Sequence, residues 1–205
     1  MTNLNDLSLY IHNLMAEGDF QKAEEVLSQA RSTAESQSDR TLLNYVLTEL
    51  IGLYQISEPP LWTKAEALSN ERENLVPSAQ NMLQTAMILY YGLADYARVV
   101  PKVEKAIEQG RQEGDDKAVY TSLSLLGQTY LELGQMQKAV AILAGLEEMV
   151  ANRRPVVIGD ETSFLERLRT QGLEVDRIAK LASVLSPICR DASFKERLEV
   201  LTRRR

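Results

Sequence analysis

The stretch Leu123-Ser124-Leu125-Leu126-Gly127-Gln128-Thr129-Tyr130-Leu131-Glu132-Leu133-Gly134-Gln135-Met136-Gln137-Lys138-Ala139-Val140-Ala141-Ile142-Leu143-Ala144-Gly145-Leu146 decides the fold. Its first half places Leu123, Leu126 and Tyr130 at i, i+3 and i+7, one face of a helix, and its second half does the same with Ala139, Leu143 and Leu146. Gly134 stands between the two patterns, where a residue free to adopt the left-handed conformation ends a helix. Gly127 and Ala139 are small enough to let the two helix axes approach closely. The stretch therefore predicts a helical hairpin.

The same spacing recurs upstream. Leu7, Tyr10 and Leu14 precede Gly18-Asp19-Phe20, then Ala23, Leu27 and Ala30; Leu83, Ala86 and Tyr90 precede Ala94-Asp95-Tyr96, then Val99, Val103 and Ala106. A degraded copy lies between them, with Leu47, Leu50 and Tyr54, then Trp62 and Ala65. There Ser57-Glu58-Pro59-Pro60 replaces the glycine turn with about two extra residues, and Arg72 falls where a small residue is usual. The prolines suit a helix stop and restart, because Pro fits the first turn of a helix and disfavours helix in the residue before it. The turns, at Gly18, Pro60, Ala94 and Gly134, lie about 42, 34 and 40 residues apart. A fixed period of this length marks a repeat architecture.

This pattern resembles the tetratricopeptide repeat (TPR), in its long-repeat subclass, as in kinesin light chains and bacterial peptide-sensing regulators. The resemblance covers roughly residues 4–150, with Ile11, Ile51 and Met87 where the family prefers a small residue. It implies an all-α fold: a right-handed α-α superhelix, or TPR-like solenoid, of about four hairpins over residues 4–37, 41–75, 78–113 and 117–150. Residues 1–150 form the repeat array in this reading. The pattern breaks at Arg153-Arg154-Pro155-Val156-Val157-Ile158-Gly159-Asp160, and residues 151–205 are expected to form a C-terminal helical cap. Its helices are expected over Glu161–Gln171, Glu174–Leu185, and from Pro187 or Ala192 to about Thr202. A repeat array needs such a cap, since its last member otherwise leaves an apolar face in water.

In the family, the first helices of successive repeats line a concave surface that grips a peptide. Carried over by position, the resemblance implies a groove of Asn5, Ser8, His12 and Met15; Tyr45, Thr48, Gly52 and Gln55; Asn81, Gln84, Ile88 and Tyr91; and Thr121, Ser124, Gln128 and Leu131. Tyr45 and Tyr91 are the aromatics expected in recognition, while Trp62, Tyr54, Tyr90 and Tyr130 are expected to pack against neighbouring helices. No Lys or Arg falls on this face, which disfavours capture of a C-terminal carboxylate, because a buried carboxylate needs charge-assisted donors. The expected ligand is a peptide held by amide hydrogen bonds and apolar anchors.

Composition bounds the function. The 205 residues are 44% hydrophobic with only ten Gly and six Pro, enough apolar material for a core and few helix breakers. Residues 1–150 hold 11 Lys/Arg against 21 Asp/Glu, a balance of −10, whereas residues 151–205 hold 12 against 8, a balance of +4. An acidic body repels phosphate backbones, so no nucleic-acid partner is expected. No apolar run reaches the roughly 18 residues of a membrane span. The start, Met1-Thr2-Asn3-Leu4-Asn5-Asp6, lacks a secretory pattern, and Cys189 is the only cysteine, so a reducing cytoplasm is expected.

Catalysis has little to build on. His12 is the only histidine, so any nucleophile–imidazole pair would need it. Cys189, beside Arg190 in an expected C-terminal helix, reads as an inert buried thiol. There is no phosphate loop, and one His with one Cys cannot assemble an imidazole or thiolate metal cluster, so neither metal nor cofactor is expected. Glu24-Glu25 and Glu147-Glu148 diverge around a helix, Asp115-Asp116 after Gly114 reads as a helix cap, and Arg203-Arg204-Arg205 complements a helix dipole. The leading reading is a non-enzymatic adaptor or scaffold for a protein or peptide. The alternatives are a self-associating scaffold, including a homodimer through the C-terminal helices; an enzyme dependent on His12 or a carboxylate pair; and a peptide-sensing regulator, for whose usual effector domain 205 residues leave no room.

Overall fold

The computed structural model describes residues 4–152 and 159–203, which form eleven α-helices and no strand. The break expected at 153–158 and the last two arginines of the C-terminal triplet lie outside the described residues. The chain divides into two compact units, residues 1–77 with 91–94, and residues 78–90 with 95–205.

The first unit holds α1 (Leu4–Ala16), α2 (Phe20–Gln37), α3 (Arg40–Ile56) and α4 (Trp62–Leu75). Gly18 takes the left-handed φ of 78° at the end of α1, and the Asp19 carboxylate then accepts the Lys22 backbone N–H to cap α2. Asp39 caps α3 in the same way through Thr41 and Leu42. The longer connection at 57–61 is closed by the Leu61 N–H donating to the Tyr54 carbonyl at 2.8 Å. Ile11, Leu27, Leu47, Ile51 and Ala65 are wholly buried, so the bulky Ile11 and Ile51 fill the core where the repeat pattern asks for small residues. Arg72, also out of pattern, is tolerated because its Nε donates to Asn44 at 3.0 Å; burial lowers its pKa. Arg31 ties α2 to α4 through both carboxylate oxygens of Glu71, at 2.8 and 2.9 Å.

The second unit begins with α5 (Ala79–Met87), which runs on into a π-helical turn, Ile88–Gly92. It continues with α6 (Tyr96–Glu113), α7 (Asp116–Glu132), α8 (Met136–Ala151), α9 (Asp160–Thr170), α10 (Val175–Leu185), a 3-10 turn (Ser186–Ile188) and α11 (Ala192–Thr202). Ala94, at φ 50°, takes the left-handed turn conformation that Gly134 takes at φ 69°. The expected cap helices thus exist, but they also extend the repeat. Gly172 has φ 71°, and the Leu173 N–H donates to the Leu168 carbonyl at 3.0 Å, as Gln135 does to Tyr130 at 2.8 Å. Aligned on this turn Leu168 takes the place of Tyr130, and with one residue added to the link before α10, Ile178, Ala182 and Leu185 take the places of Ala139, Leu143 and Leu146; all are buried like them. Only α11 lies outside the pattern; Arg169 of α9 donates to the Val200 and Arg203 carbonyls at its end. Cys189 lies in the link before α11, not in a helix, and its thiol donates to the Asp191 carbonyl at 3.3 Å.

One expectation is corrected here. Gly127 was read as the close-approach point between α7 and α8; instead a Cβ on Gly127 would lie 2.6 Å from the Phe164 ring of α9. The glycine of α8 that faces α7 is Gly145, where a Cβ would lie 3.3 Å from Leu123. A further repeat signal is visible in retrospect. The third residue of each second helix is basic (Lys22, Lys64, Arg98, Lys138), and Lys64 and Lys138 stand 4.9 and 5.3 Å over the rings of Tyr54 and Tyr130.

Two substitutions of equal chemistry should move stability in opposite directions. Gly52→Ala adds a methyl where nothing lies within 4 Å and should stabilise by up to about 1 kcal/mol through helix propensity. Gly127→Ala must displace the buried Phe164 ring, at about 1–3 kcal/mol, and should be a net loss in urea unfolding. The cap of α7 supplies a pH test. The Ala118 backbone N–H, followed by Gln80, holds the Asp115 carboxyl below the usual carboxylate range. Its stabilisation is present above the unfolded-chain value of about 3.9 and is lost as pH falls through the lowered folded value. Asp115→Ala should therefore cost about 1 kcal/mol near neutrality and progressively less in acid unfolding curves.

Candidate functional site

The first-helix face of the first unit is carried by α1 and α3. Along α1, Asn5 and His12 are exposed; along α3, Tyr45, Thr48, Gly52 and Gln55 are part-exposed. Gly52 has open space where a side chain would project, so nothing in the unit covers the centre of the α3 stripe. His12 Nδ1 lies 2.8 Å from its own helix's Ser8 carbonyl and its Nε2 lies 3.8 Å from Glu49, which joins α1 to α3. The Tyr45 hydroxyl is buried, with the Ser8 and Glu49 side chains as its polar neighbours; burial foremost raises its pKa, with Ser8 opposing and Glu49 adding to the rise. Glu49 belongs to this face and was missed from sequence because position matching selects a stripe at i, i+3, i+7 and skips the residue beside it. The expected neutral face thus contains one carboxylate.

In the second unit the corresponding face of α7 is closed. Tyr120, Ser124, Gly127 and Leu131 form one stripe at i, i+4, i+7 and i+11. Glu161 of α9 raises the Tyr120 pKa, after burial itself, and Phe164 lies against Gly127, so α9 runs along this stripe. Arg167 completes the contact, donating to Glu132 at 2.7 Å and to the Tyr90 hydroxyl at 3.5 Å. Ser124 and Gln128, expected on an open groove, are buried, and the Ser124 hydroxyl donates to the Tyr120 carbonyl of its own helix. Asn81 is buried as well, near the start of α5, where Ser78 caps its N–H. Gln84 is part-exposed. Tyr91 is exposed; it leaves the π-helical turn and belongs to the first unit.

The tyrosines expected to pack do so: Tyr54, Tyr90 and Tyr130 are buried, and their hydroxyls donate to Glu24, Glu132 and Glu104 of neighbouring helices. Burial, then Glu132, pushes the Tyr90 phenol up to about 12. Phenols held protonated this way are structural donors and supply no acid–base chemistry near neutrality. Among the described residues, no three His, Cys, Asp or Glu side chains converge in a metal-holding group, and no helix is long and apolar enough to cross a membrane. A polar depression between α10 and α11 is lined by Asp176, Lys180, Ser183 and Thr202, with Arg177, which is already held by Glu147 and Glu174.

No protein-family model matches the chain, and no curated protein matches it in sequence. A solved structure is similar in fold: a Podosopora anserina protein described as "putative kinesin light chain nearly identical TPR-like repeats" superposes with a TM-score of 0.63, at 15% identity, over 98% of this chain and 97% of that one. At that identity the likeness is one of fold, and it extends through the C-terminal helices. The chain has an all-α, TPR-like helical-repeat fold.

Proposed function

We propose that the chain is a non-enzymatic interaction scaffold that holds a peptide segment of a protein partner on the first-helix face of α1 and α3. Asn5, His12, Tyr45, Thr48 and Gln55 are the contacts, and Gly52 is the floor against which the partner backbone rests. The observation that carries this reading is the contrast between two equivalent faces. On α7 the chain's own α9 fills the stripe, whereas on α3 the space around Gly52 is empty. A helix face left open between part-exposed tyrosine, threonine and glutamine side chains offers hydrogen bonds and an apolar ring without the cost of displacing an existing contact. Gln84 and Tyr91 are held as further contacts. The lone, unbridged cysteine supports a cytoplasmic setting for such an adaptor.

The full chain, incubated with an array of random dodecamer peptides, should retain a defined subset. Gly52→Phe should abolish that retention without lowering the melting temperature, because its Cβ meets nothing within 4 Å. Retention indifferent to Gly52→Phe would remove α3 as the binding face. A second reading, self-association, is favoured by Val184, Ile188 and Val200, which stand 47%, 56% and 51% exposed on α10, the 3-10 turn and α11. Sedimentation velocity across the micromolar range should then report a dimer that Val200→Glu dissociates; a strict monomer would discard it.

A further inference from the structure

One stripe of the first helices meets opposite fates in α1 and in its later copies. Asp6, Leu9, Tyr10 and Asn13 of α1 align with Val46, Glu49, Leu50 and Leu53 of α3 and with Ser122, Leu125, Leu126 and Thr129 of α7. On α7 all four are buried, and on α3 three are, with Glu49 part-exposed. On α1 all four are exposed, Leu9 at 65% and Tyr10 at 37%. The stripe that neighbouring helices cover elsewhere thus keeps an apolar centre on α1 but faces water there. Its spacing, i, i+3, i+4 and i+7, is that of a seam along which two helices pack. The stripe is also its own complement. When two such helices run antiparallel about a point between Leu9 and Tyr10, Leu9 of one meets Tyr10 of the other, and Asp6 meets Asn13. A carboxylate only accepts hydrogen bonds and an amide nitrogen donates them, so the apolar centre is flanked on both sides by a matched polar pair. Neither side chain makes a hydrogen bond or ion pair of its own among the described residues. A parallel arrangement would instead set Asp6 against Asp6, a like-charge contact.

We infer that a second copy of this chain covers the stripe, the two α1 helices pairing antiparallel about a two-fold axis between Leu9 and Tyr10. The symmetry forms the Asp6–Asn13 contact twice. Asn5 and His12 lie outside the stripe, so the pairing does not depend on the peptide-binding face, and it uses none of the exposed residues of α10 and α11. Its strength is limited by size. The 13 residues of α1 span about 20 Å, and one pair of such helices buries less than the roughly 1,200 Å² of a stable complex, so the dimer is weak and forms at about 0.1–1 mM.

Sedimentation velocity of the full chain at concentrations up to about 1 mM should show a dimer growing in. Leu9→Glu, at an exposed position, should weaken it by about tenfold or more and leave the melting temperature unchanged, whereas Val200→Glu should leave it intact. Cross-linking reads the register. With a short bismaleimide, an equimolar mixture of Asp6→Cys and Asn13→Cys chains should give a covalent dimer much faster than either variant alone, because each introduced thiol then faces the other kind; the buried Cys189 is common to all three samples. A strict monomer at the highest concentration would overturn the pairing, as would a dimer indifferent to Leu9→Glu. A dimer that Val200→Glu alone dissociates would overturn it and assign association to the C-terminal helices. Equal cross-linking of the single variants and the mixture would overturn the antiparallel register.

Discussion

A helical hairpin joined by a short turn can bury one stripe of each helix against the other, and it leaves a second stripe that only a neighbour can cover. In this chain the covering contact that matters most is the Phe164 ring on Gly127. It is possible because α7 lacks a side chain at that point, and it brings α9 alongside α7, so that nearly the whole of α7 becomes core. Once α9 is there, Ser124 and Gln128 lose their access to solvent and Leu131 becomes packing. On α3 the place of Gly127 is taken by the buried Ile51, and Gly52, at the place of Gln128, has nothing within 4 Å of where a Cβ would stand. One residue type therefore marks two opposite outcomes: at 127 a glycine allows a contact, and at 52 it leaves a gap.

Polar interactions between helices follow a consistent rule in both units. Several carboxylates facing a neighbouring helix are met by an arginine or lysine, or by the hydroxyl of a tyrosine whose ring lies in the core. Most of these pairs are a third exposed, so each contributes little to net stability, about 0–1 kcal/mol. Their effect is on register: Arg31 fixes α2 against α4, Arg167 fixes α9 against α7, and Arg197 fixes α11 against α9 through Glu166.

Much of the fold could be read from the sequence because the signals were local. Gly18, Gly134, Asp19, Asp39 and Asp115 each act within a few residues of themselves, and turn and cap chemistry needs no knowledge of the rest of the chain. The cap helices were placed within a residue or two, but their turn at Gly172 was not recognised as a further copy because Phe164 and Leu165 stand where the fourth repeat has Leu126 and Gly127. The candidate site was legible only in its first half. Asn5, His12, Tyr45, Thr48 and Gln55 were found by position, since the stripe of a helix is a property of its spacing. Whether that stripe is open depends on which distant helix lies on it, and nothing near Ser124 or Gln128 announces α9. Glu49 was missed because matching by stripe position passes over the residue beside the stripe.

The charge distribution acquires meaning at the same level. Part of the basic charge of residues 151–205 is engaged within the chain. Arg167, Arg177 and Arg197 are engaged by Glu132, Glu147 and Glu166, and Arg169 by the carbonyls at the end of α11, so these guanidinium groups are occupied in holding the last helices to the array. In residues 1–77, by contrast, acids outnumber bases more than two to one and cannot be neutralised from within the unit. Net charge alone would have pointed to the basic end as the place where a charged partner docks. Counting which charges already have partners qualifies that: Arg167, Arg169, Arg177 and Arg197, four of the twelve cations of residues 151–205, are already occupied within the chain and offer a charged partner less than the net charge implies.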